Sequence, residues 1–444
     1  MTMTNFAPLT ATIRSISSTK RSGFASGTNG NTINVKGLSD VACVGDFVRI
    51  VQGATHSVLG EVLTLTSEHI CVLPEKGTGG ISLNDRVDYV GSSDIAPDES
   101  WLGRIIDPFG RALDGRPLMR GLDARPVLAD PPAAAKRGRL GERLETGMAA
   151  FNTYLPIVRG QRMGLFAGSG VGKSTLLANL SSGIEADFVV IALIGERGRE
   201  LREFVEDTLG PEGLKRAVVI AATSDQSPMV RRRAAWTAMT VAEYLRDQGG
   251  HVLFLADSVT RFAEAHREIA AASGEASTAR GFPPSTSQII MSLCERAGPG
   301  PDGCGDITGV FSVLVSGSDM EEPLADIVRG VLDGHVVLDR QIAERGRFPA
   351  VDILRSVSRS LPNAASDDEN QILASTRELM ATYAEAELMI QAGLYSSGTD
   401  PKIDSAVDAR PKLEALLAMG DGITTSESFK RLADILKGPR RIVA

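Results

Sequence analysis

Residues 167–174 read Ala-Gly-Ser-Gly-Val-Gly-Lys-Ser, and the fold turns on what flanks them. The apolar run Met163-Gly164-Leu165-Phe166 precedes the octet as a buried strand would, and Ser174–Leu180 follows as a helix-compatible run. Strand, glycine loop, Lys-Ser and helix is the order a phosphate-binding loop requires. Glycines let consecutive backbone N–H groups turn toward phosphate oxygens, and the new helix adds the positive end of its dipole. Lys173 is placed to reach the β- and γ-phosphates, and the Ser174 hydroxyl to ligate Mg²⁺. The expected phosphate-binding set is Gly168, Ser169, Gly170, Val171, Gly172, Lys173, Ser174 and Thr175. Ala167 stands where the strict pattern has its first glycine, a small departure. The octet implies a nucleoside triphosphate site.

Outward from the loop, residues 150–360 alternate apolar strands with helical segments. Phe188–Ile194, Ala217–Ala222 and Val252–Ala256 are continuous apolar runs, as expected of parallel strands covered on both faces. Later strands fall at Ile307–Val315 and His335–Leu338. Ser227-Pro228 supplies an N-cap and first position for a helix running to about Gln248. The pattern predicts a doubly wound α/β nucleotide domain. Before it, short strand-like runs at Leu9–Ile16, Thr32–Val35, Phe47–Val51, Gly60–Leu65, His69–Leu73 and Arg86–Val90 predict a small β-barrel or sandwich. Residues 96–150, rich in Pro, Gly and Arg, read as an irregular connector. After Arg359 the strands stop. Ile372, Leu379, Tyr383, Ala386 and Ile390 share one helical face closed by Gly393, and Ala409–Leu417 and Phe429–Leu436 continue a small helical domain. The expected boundaries are 1–95, 96–362 and 363–444.

At 444 residues the chain exceeds a single core. A hydrophobic content of 43% and a charged content of 23% are those of a soluble globular protein. A net charge of −8 argues against a dedicated nucleic-acid binder. Met1–Leu9 has no charged region followed by an apolar core, so no signal peptide is expected, and no apolar stretch reaches spanning length. Cys43, Cys71, Cys294 and Cys304 lack metal-ligand spacing and read as free, mostly buried thiols in a reducing compartment. The histidines at 56, 69, 251, 266 and 335 form no close cluster. On a helix of an acidic protein, Arg231-Arg232-Arg233 reads as a solvated or intersubunit face.

Three further segments carry chemistry. Val252–Asp257 is an apolar strand ending in a carboxylate, suited either to hold a water of the Mg²⁺ shell or to cap the next turn. In Ile194-Gly-Glu-Arg-Gly-Arg-Glu200, Glu196 can polarise an attacking water and Arg197 can meet the γ-phosphate, although such turns are often only solvated. Gly346–Arg359 offers Phe348, for stacking on a base or for plain core packing, and arginines of the kind that, supplied by a neighbour, are worth roughly 10³–10⁵ in phosphoryl-transfer rate.

The octet, Gly195-Glu-Arg197, Leu255-Ala-Asp-Ser-Val-Thr-Arg261 and Pro349-Ala-Val-Asp-x-x-x-Ser-x-Ser358 together resemble the rotary ATPase α/β family. Leu102–Arg111, Glu295–Gly298, Leu332–His335 and Tyr383–Gly393 extend the likeness over nearly the whole chain. Within the family the chain most resembles the flagellum-specific ATPases of type III protein export, a branch that Phe348–Pro362 favours over the virulence-secretion branch. The resemblance implies a RecA-like P-loop nucleotide domain flanked by an N-terminal β-barrel and a C-terminal helical domain. It implies ATP and Mg²⁺, with Ser174 and, through water, Asp257 at the metal. It also implies that Glu196 activates water, Arg197 touches the γ-phosphate, Glu200 orders a water, Arg261 lines the phosphate pocket and Phe348 stacks on adenine. Arg359 would be an arginine finger reaching into the adjacent subunit.

The implied partners are further copies in a homohexamer, a stator-like regulator at the N-terminus, and a central stalk protein near Glu275–Pro284. Chaperone–substrate complexes at the helical tail and a membrane export gate complete the set, with a cytoplasmic location peripheral to the inner membrane and no nucleic acid. Two other readings are an ATP synthase subunit and a Rho-like RNA translocase. Against the first, the tail lacks the acidic lever motif of the synthase β subunit, and Glu196 and Arg359 occur in one polypeptide, so identical copies could furnish both halves of a site. Against the second, the first hundred residues show no aromatic stacking motif.

Overall fold

The computed structural model describes residues 19–53, 56–92, 94–276, 281–315, 320–420 and 422–437. The expected strand Leu9–Ile16 and residues 277–280 of the expected stalk loop lie outside the described residues. The chain divides into two compact units. One comprises the residues up to Pro132 with Phe188–Gln248 and Ala256–Arg296; the other comprises Ala133–Asp187, Gly249–Leu255 and the residues from Ala297 onward.

The first unit begins with β1 (Ser22–Asn29), β2 (Thr32–Lys36), β3 (Phe47–Gln52), β4 (His56–Leu65), β5 (Ile70–Pro74) and β6 (Arg86–Gly91). They close in the order β1-β2-β5-β4-β3-β6. The pairing of Ser22 with Asp88 and Phe24 with Arg86 joins the first strand to the last and makes a barrel rather than a sandwich. Inward side chains alternate as the pleat demands, and Ile33, Val35, Val48, Ile50, Val62, Ile70, Val72 and Val87 fill the interior. Gly60 is needed for close approach, since a Cβ there would sit 2.5 Å from Val72 Cγ1.

Beyond the barrel, Phe188–Glu196 and Ala217–Thr223 pair in parallel, as their unbroken apolar character requires. The connector is less irregular than expected. Arg104–Ile106 adds a parallel strand beside Ala217–Thr223, too short to show any period in the sequence. Its Arg104 is half of an ion pair at 2.6 Å with Asp114, whose carboxyl this pairing holds well below the usual carboxylate range. The helix Pro228–Asp247 packs on the strand pair. Ser227 takes the N-cap backbone position, but its side chain makes no capping bond, so Pro228 alone marks the start.

The triple arginine is not a solvated face. Arg232 is buried and its guanidinium donates to Glu61 of β4, itself buried. Arg233, also buried, donates to Pro108 O at 2.8 Å and lies over the rings of Phe47 and Phe109, at 5.3 and 5.0 Å. Desolvation pulls its pKa down to about 10, so it remains charged at neutral pH. Arg232 and Arg233 are the tie between this helix and the barrel.

In the second unit, Arg162–Ala167 lies between Asp306–Leu314 and Gly334–Leu338, all parallel. Val357–Ser358 runs antiparallel to the first residues of Gly334–Leu338. The tail forms Asp367–Gln391, Pro401–Leu417 and Thr425–Leu436. The middle helix starts eight residues before the expected Ala409, because Asp400 caps it and Pro401 occupies its first turn. A capping box between Ser366 and Glu369 opens the first of these helices, and Gly393 at φ +68° follows its last turn. Tyr154 donates to Thr376 at 2.7 Å and Asn152 to Ile423 O at 2.7 Å, fastening the tail within this unit. Of the cysteines only Cys294 is buried; Cys43 is exposed and the other two are half-buried, against the expectation of mostly buried thiols.

Two stability measurements follow from the arginine–barrel tie. Glu61→Ala leaves a buried guanidinium without its counter-charge and should cost about 3–5 kcal/mol in urea unfolding, whereas Glu61→Leu with Arg232→Met should cost less. His266 Nδ1 faces Arg232 at 3.4 Å and its Nε2 lies 2.7 Å from Ser285 Oγ, which in turn donates to Glu275 at 2.6 Å. Burial and Arg232 pull the His266 pKa down from 6.5 to about 4. The unfolded chain therefore takes up this proton first, and stability should fall as pH drops from about 6.5 toward 4. His266→Gln should flatten the Tm profile across that window.

Candidate functional site

The strand Arg162–Ala167 is buried from Met163 to Ala167, so the chain leaves the core at Gly168 with its backbone facing outward. Gly170 and Gly172 take φ of +77° and +86°, a region closed to ordinary side chains at little cost. Val171 between them is buried and pins the loop. The helix Lys173–Gly183 then begins on Gly172, which has no side chain to cap it, and its first turn carries no acidic residue. Its leading amides are thus oriented as donors for an anion. Ser169, Gly170, Ser174 and Thr175 are exposed, and Lys173 and Gly172 half-buried. Leu176, Leu177 and Leu180 anchor the helix beneath.

Phe348 stands against this loop. A Cβ on Gly172 would lie 3.3 Å from Phe348 Cδ1, yet the ring is 51% exposed. A half-exposed ring beside phosphate-binding amides suits a stacked base better than core packing.

Arg359 lies at the other end of the same strands. Gly164 is in register with His335, and Val357–Ser358 pairs with Gly334 and His335. Arg359 N donates to Asp333 O at 3.0 Å, and its exposed guanidinium reaches Arg329 O at 3.4 Å. From Gly164 to Ala167 the strand covers about 10 Å before the loop begins. The backbone of Arg359 therefore sits at the end of these strands remote from the loop of its own chain. Its base is firmly mounted: Ser358 and Ser360 both donate to Pro156 O, and Gln161 donates to Ser358.

The remaining expected residues belong to the other compact unit. Glu196 ends the strand Phe188–Glu196, where the register with Ala217–Thr223 slips between Ile194 and Glu196. Gly195 is the extra residue, at φ +68°, and the bulge re-aims Glu196, which is half-buried. Arg261 packs against that glycine, with a hypothetical Cβ only 3.2 Å from Arg261 Cβ. The hydrogen bond that Arg261 donates to Glu264 raises the Arg261 pKa most, and the charges of Glu196 and Glu200 add to it. Arg197 is exposed and pairs with Glu200 at 3.2 Å. Asp257 is buried at the end of its strand, and Ser258 caps the helix that follows. Glu196, Glu200 and Arg261 are thus gathered together.

One neighbour escaped the sequence reading. Arg231 lies 3.5 Å from the same Gly195 Cβ position and donates to Glu268 at 2.9 Å. Its place in a triple-arginine run disguised it. By donor chemistry alone, Ser174 offers a hydroxyl in one unit and Asp257 a carboxylate in the other. All-oxygen donors in small number fit Mg²⁺, which keeps waters and phosphate oxygens as its other ligands. Among the described residues no group of three or more His, Cys, Asp or Glu side chains could hold a metal by itself.

Residues 147–358 match the family model described as the ATP synthase alpha/beta family, nucleotide-binding domain. Residues 365–434 match the one described as the T3SS EscN ATPase C-terminal domain. The chain is 44% identical over 424 residues to a flagellum-specific ATP synthase of Caulobacter vibrioides, covering 94% of this chain and 96% of that protein. It is 42% identical over 404 residues to that of Bacillus subtilis, covering 90% and 91%. The assembled ATPase EscN of the enteropathogenic E. coli type III secretion system superposes with a TM-score of 0.87 at 37% identity, over 93% of this chain and all of that one. The same ATPase in complex with its central stalk EscO gives 0.84 at 36% identity, with the same coverage. These likenesses give the RecA-like nucleotide domain between an N-terminal barrel and a helical tail.

Gly172→Ala tests the loop geometry. The substitution places a methyl group in a left-handed position and against Phe348, so nucleoside triphosphate affinity by calorimetry should fall about tenfold or more while Tm changes little.

Proposed function

Because the chain belongs to the ATP synthase alpha/beta family, we propose that it is the ATP hydrolase of a flagellar type III protein export apparatus, coupling hydrolysis to the unloading and delivery of export substrates. Support for the flagellar branch comes from the curated relatives named above. The proposed domain boundaries remain 1–95, 96–362 and 363–444.

The observation that carries the mechanism is the pairing of an anion-ready loop with an arginine mounted at the opposite end of its strands. Lys173 and the amides from Gly168 to Thr175 bind the triphosphate and hold its terminal phosphate in place. Phe348 stacks on the adenine. Glu196 orients a water for in-line attack and takes up the proton as the water reacts. Glu200 orders a further water, while Arg197 and Arg261 face the γ-phosphate. Mg²⁺, when bound, neutralises charge on the phosphate oxygens, and Ser174 and, through water, Asp257 would hold it. Arg359 enters the site of the next copy and offsets the charge that develops on the transferring phosphoryl group.

A site shared this way requires a ring of identical copies, and a homohexamer is the proposed form. The partners that fit are a stalk protein in the ring's channel, a stator-like regulator at the N-terminal segment, chaperone–substrate complexes at the helical tail and a membrane-bound export gate. No helix among the described residues is long and apolar enough to cross a membrane, so association with the inner membrane would be peripheral. Burial of Arg232 and Arg233 leaves no exposed triple-arginine run to serve as a basic surface for RNA.

Lys173→Ala should abolish ATP binding and turnover together. Glu196→Gln should retain ATP binding within a few-fold and lose hydrolysis by about 10²-fold or more. Arg359→Ala and Lys173→Ala, each inactive alone, should recover turnover when mixed, since a ring of both kinds contains intact loop–arginine pairs. Mixtures no more active than either parent would refute the shared site.

A further inference from the structure

Arg347, the residue before Phe348, is buried. Its Nη2 donates to Val351 O at 2.8 Å and its Nη1 reaches Pro349 O at 3.4 Å. One guanidinium therefore grips the backbone on the C-terminal side of Phe348 while its own backbone forms the N-terminal side. The charge is met by Glu414 from the helix Pro401–Leu417, with Nε 2.6 Å from Oε2. Burial pulls the Arg347 pKa below its usual value, and Glu414 is the largest influence opposing that shift. Glu414 is itself held by Arg410, one turn earlier at 2.8 Å, whose guanidinium lies 4.8 Å over the Tyr383 ring of the neighbouring helix.

We propose that Glu414 is a positioning residue for nucleotide binding: by neutralising Arg347 it fixes the segment that presents Phe348 beside Gly172, so that the helical tail sets the affinity for the adenine base. The proposal rests on the reading of Phe348 as the adenine-stacking residue. A carboxylate on the tail and a ring at the phosphate loop are joined through one buried cation, and that cation has two carbonyls and one acid to satisfy. Without the acid, the guanidinium is drawn toward water, and the carbonyl grip on the C-terminal side of the ring loosens. By linkage, anything that moves the helix Pro401–Leu417 shifts ATP affinity, and ATP binding resists that movement to the same degree.

The test is steady-state Mg-ATP hydrolysis by the full chain, with inorganic tripolyphosphate as a competing ligand that has no base. Glu414→Gln should raise KM for ATP about tenfold, with kcat within about twofold of the parent and tripolyphosphate inhibition unchanged. Glu414→Asp should recover most of the loss. Glu414→Gln combined with Phe348→Ala should be no worse than Phe348→Ala alone, because both act through one contact. If Glu414→Gln does not fold, the aspartate variant carries the same test with a smaller KM shift. A fall in kcat at unchanged KM, equal weakening of ATP and tripolyphosphate, or full additivity with Phe348→Ala would overturn the proposal. If Phe348→Ala itself leaves KM unaltered, the stacking role fails and the proposal falls with it. The loss of turnover in Lys173→Ala would still stand for the ATPase reading.

Discussion

A helix that begins on a side-chain-free residue in left-handed conformation has nothing of its own to offer its first amides. That constraint, at Gly172, organises the second unit. The strand Arg162–Ala167 is buried to its last residue, Val171 anchors the turn, and Leu176 and Leu177 hold the helix down. The amides are held in a fixed orientation by parts that gain their stability elsewhere. Such preorganisation is what electrostatic stabilisation of a phosphate demands, since donors already aimed cost no reorganisation when charge arrives.

What could be read from the sequence was what is decided locally. The octet and the buried strand before it each depend on residues within a few positions, and each lies where the pattern puts it. The tail is helical as expected, but its middle helix starts at Pro401 and its first helix buries Leu373, Thr376, Met380 and Ala386, sharing only Ala386 with the expected face. Burial decided by distant partners was not legible. Arg232 looks like surface charge until Glu61, 171 positions away, is brought against it. Arg233 needs Phe47 and Pro108 for the same reversal. The choice between barrel and sandwich rests on Ser22 meeting Asp88, a pairing no local period encodes. Arg104–Ile106 is a strand only because Ala217–Thr223 offers an edge to join. At the site, Gly195 read as part of a charged turn. Its role as a bulge that turns Glu196 depends on the register with Ala217–Thr223.

Buried arginines recur as fasteners, and two of them, Arg296 and Arg104, combine one acid with backbone carbonyls. Arg296 illustrates the economy: Glu243 takes two of its donors, Val127 O a third and the Thr240 hydroxyl a fourth. Arg104 does the same with Asp114, Arg116 O and Pro117 O. A planar fork with five donors can bind several loop carbonyls that would otherwise be buried without partners. Connector segments rich in Pro and Gly, which cannot form ladders, are thereby fixed to regular elements.

The same logic explains why a serine-rich signature precedes Arg359. None of those serines has to touch a substrate. Ser356 receives Val337 N–H and donates to Asp352 O, while Ser358 and Ser360 converge on Pro156 O. Arg162 pairs with Asp333, and the carbonyl of Asp333 receives Arg359 N–H. The backbone at Arg359 is thus immobilised within its own chain, while the guanidinium at its tip is exposed. The arginine finger proposed here would need that division: a long charged side chain pays less entropy on docking when its base is already fixed. The strand register sets the end of the sheet on which that base sits, and the same pairings place the glycine loop at the other end.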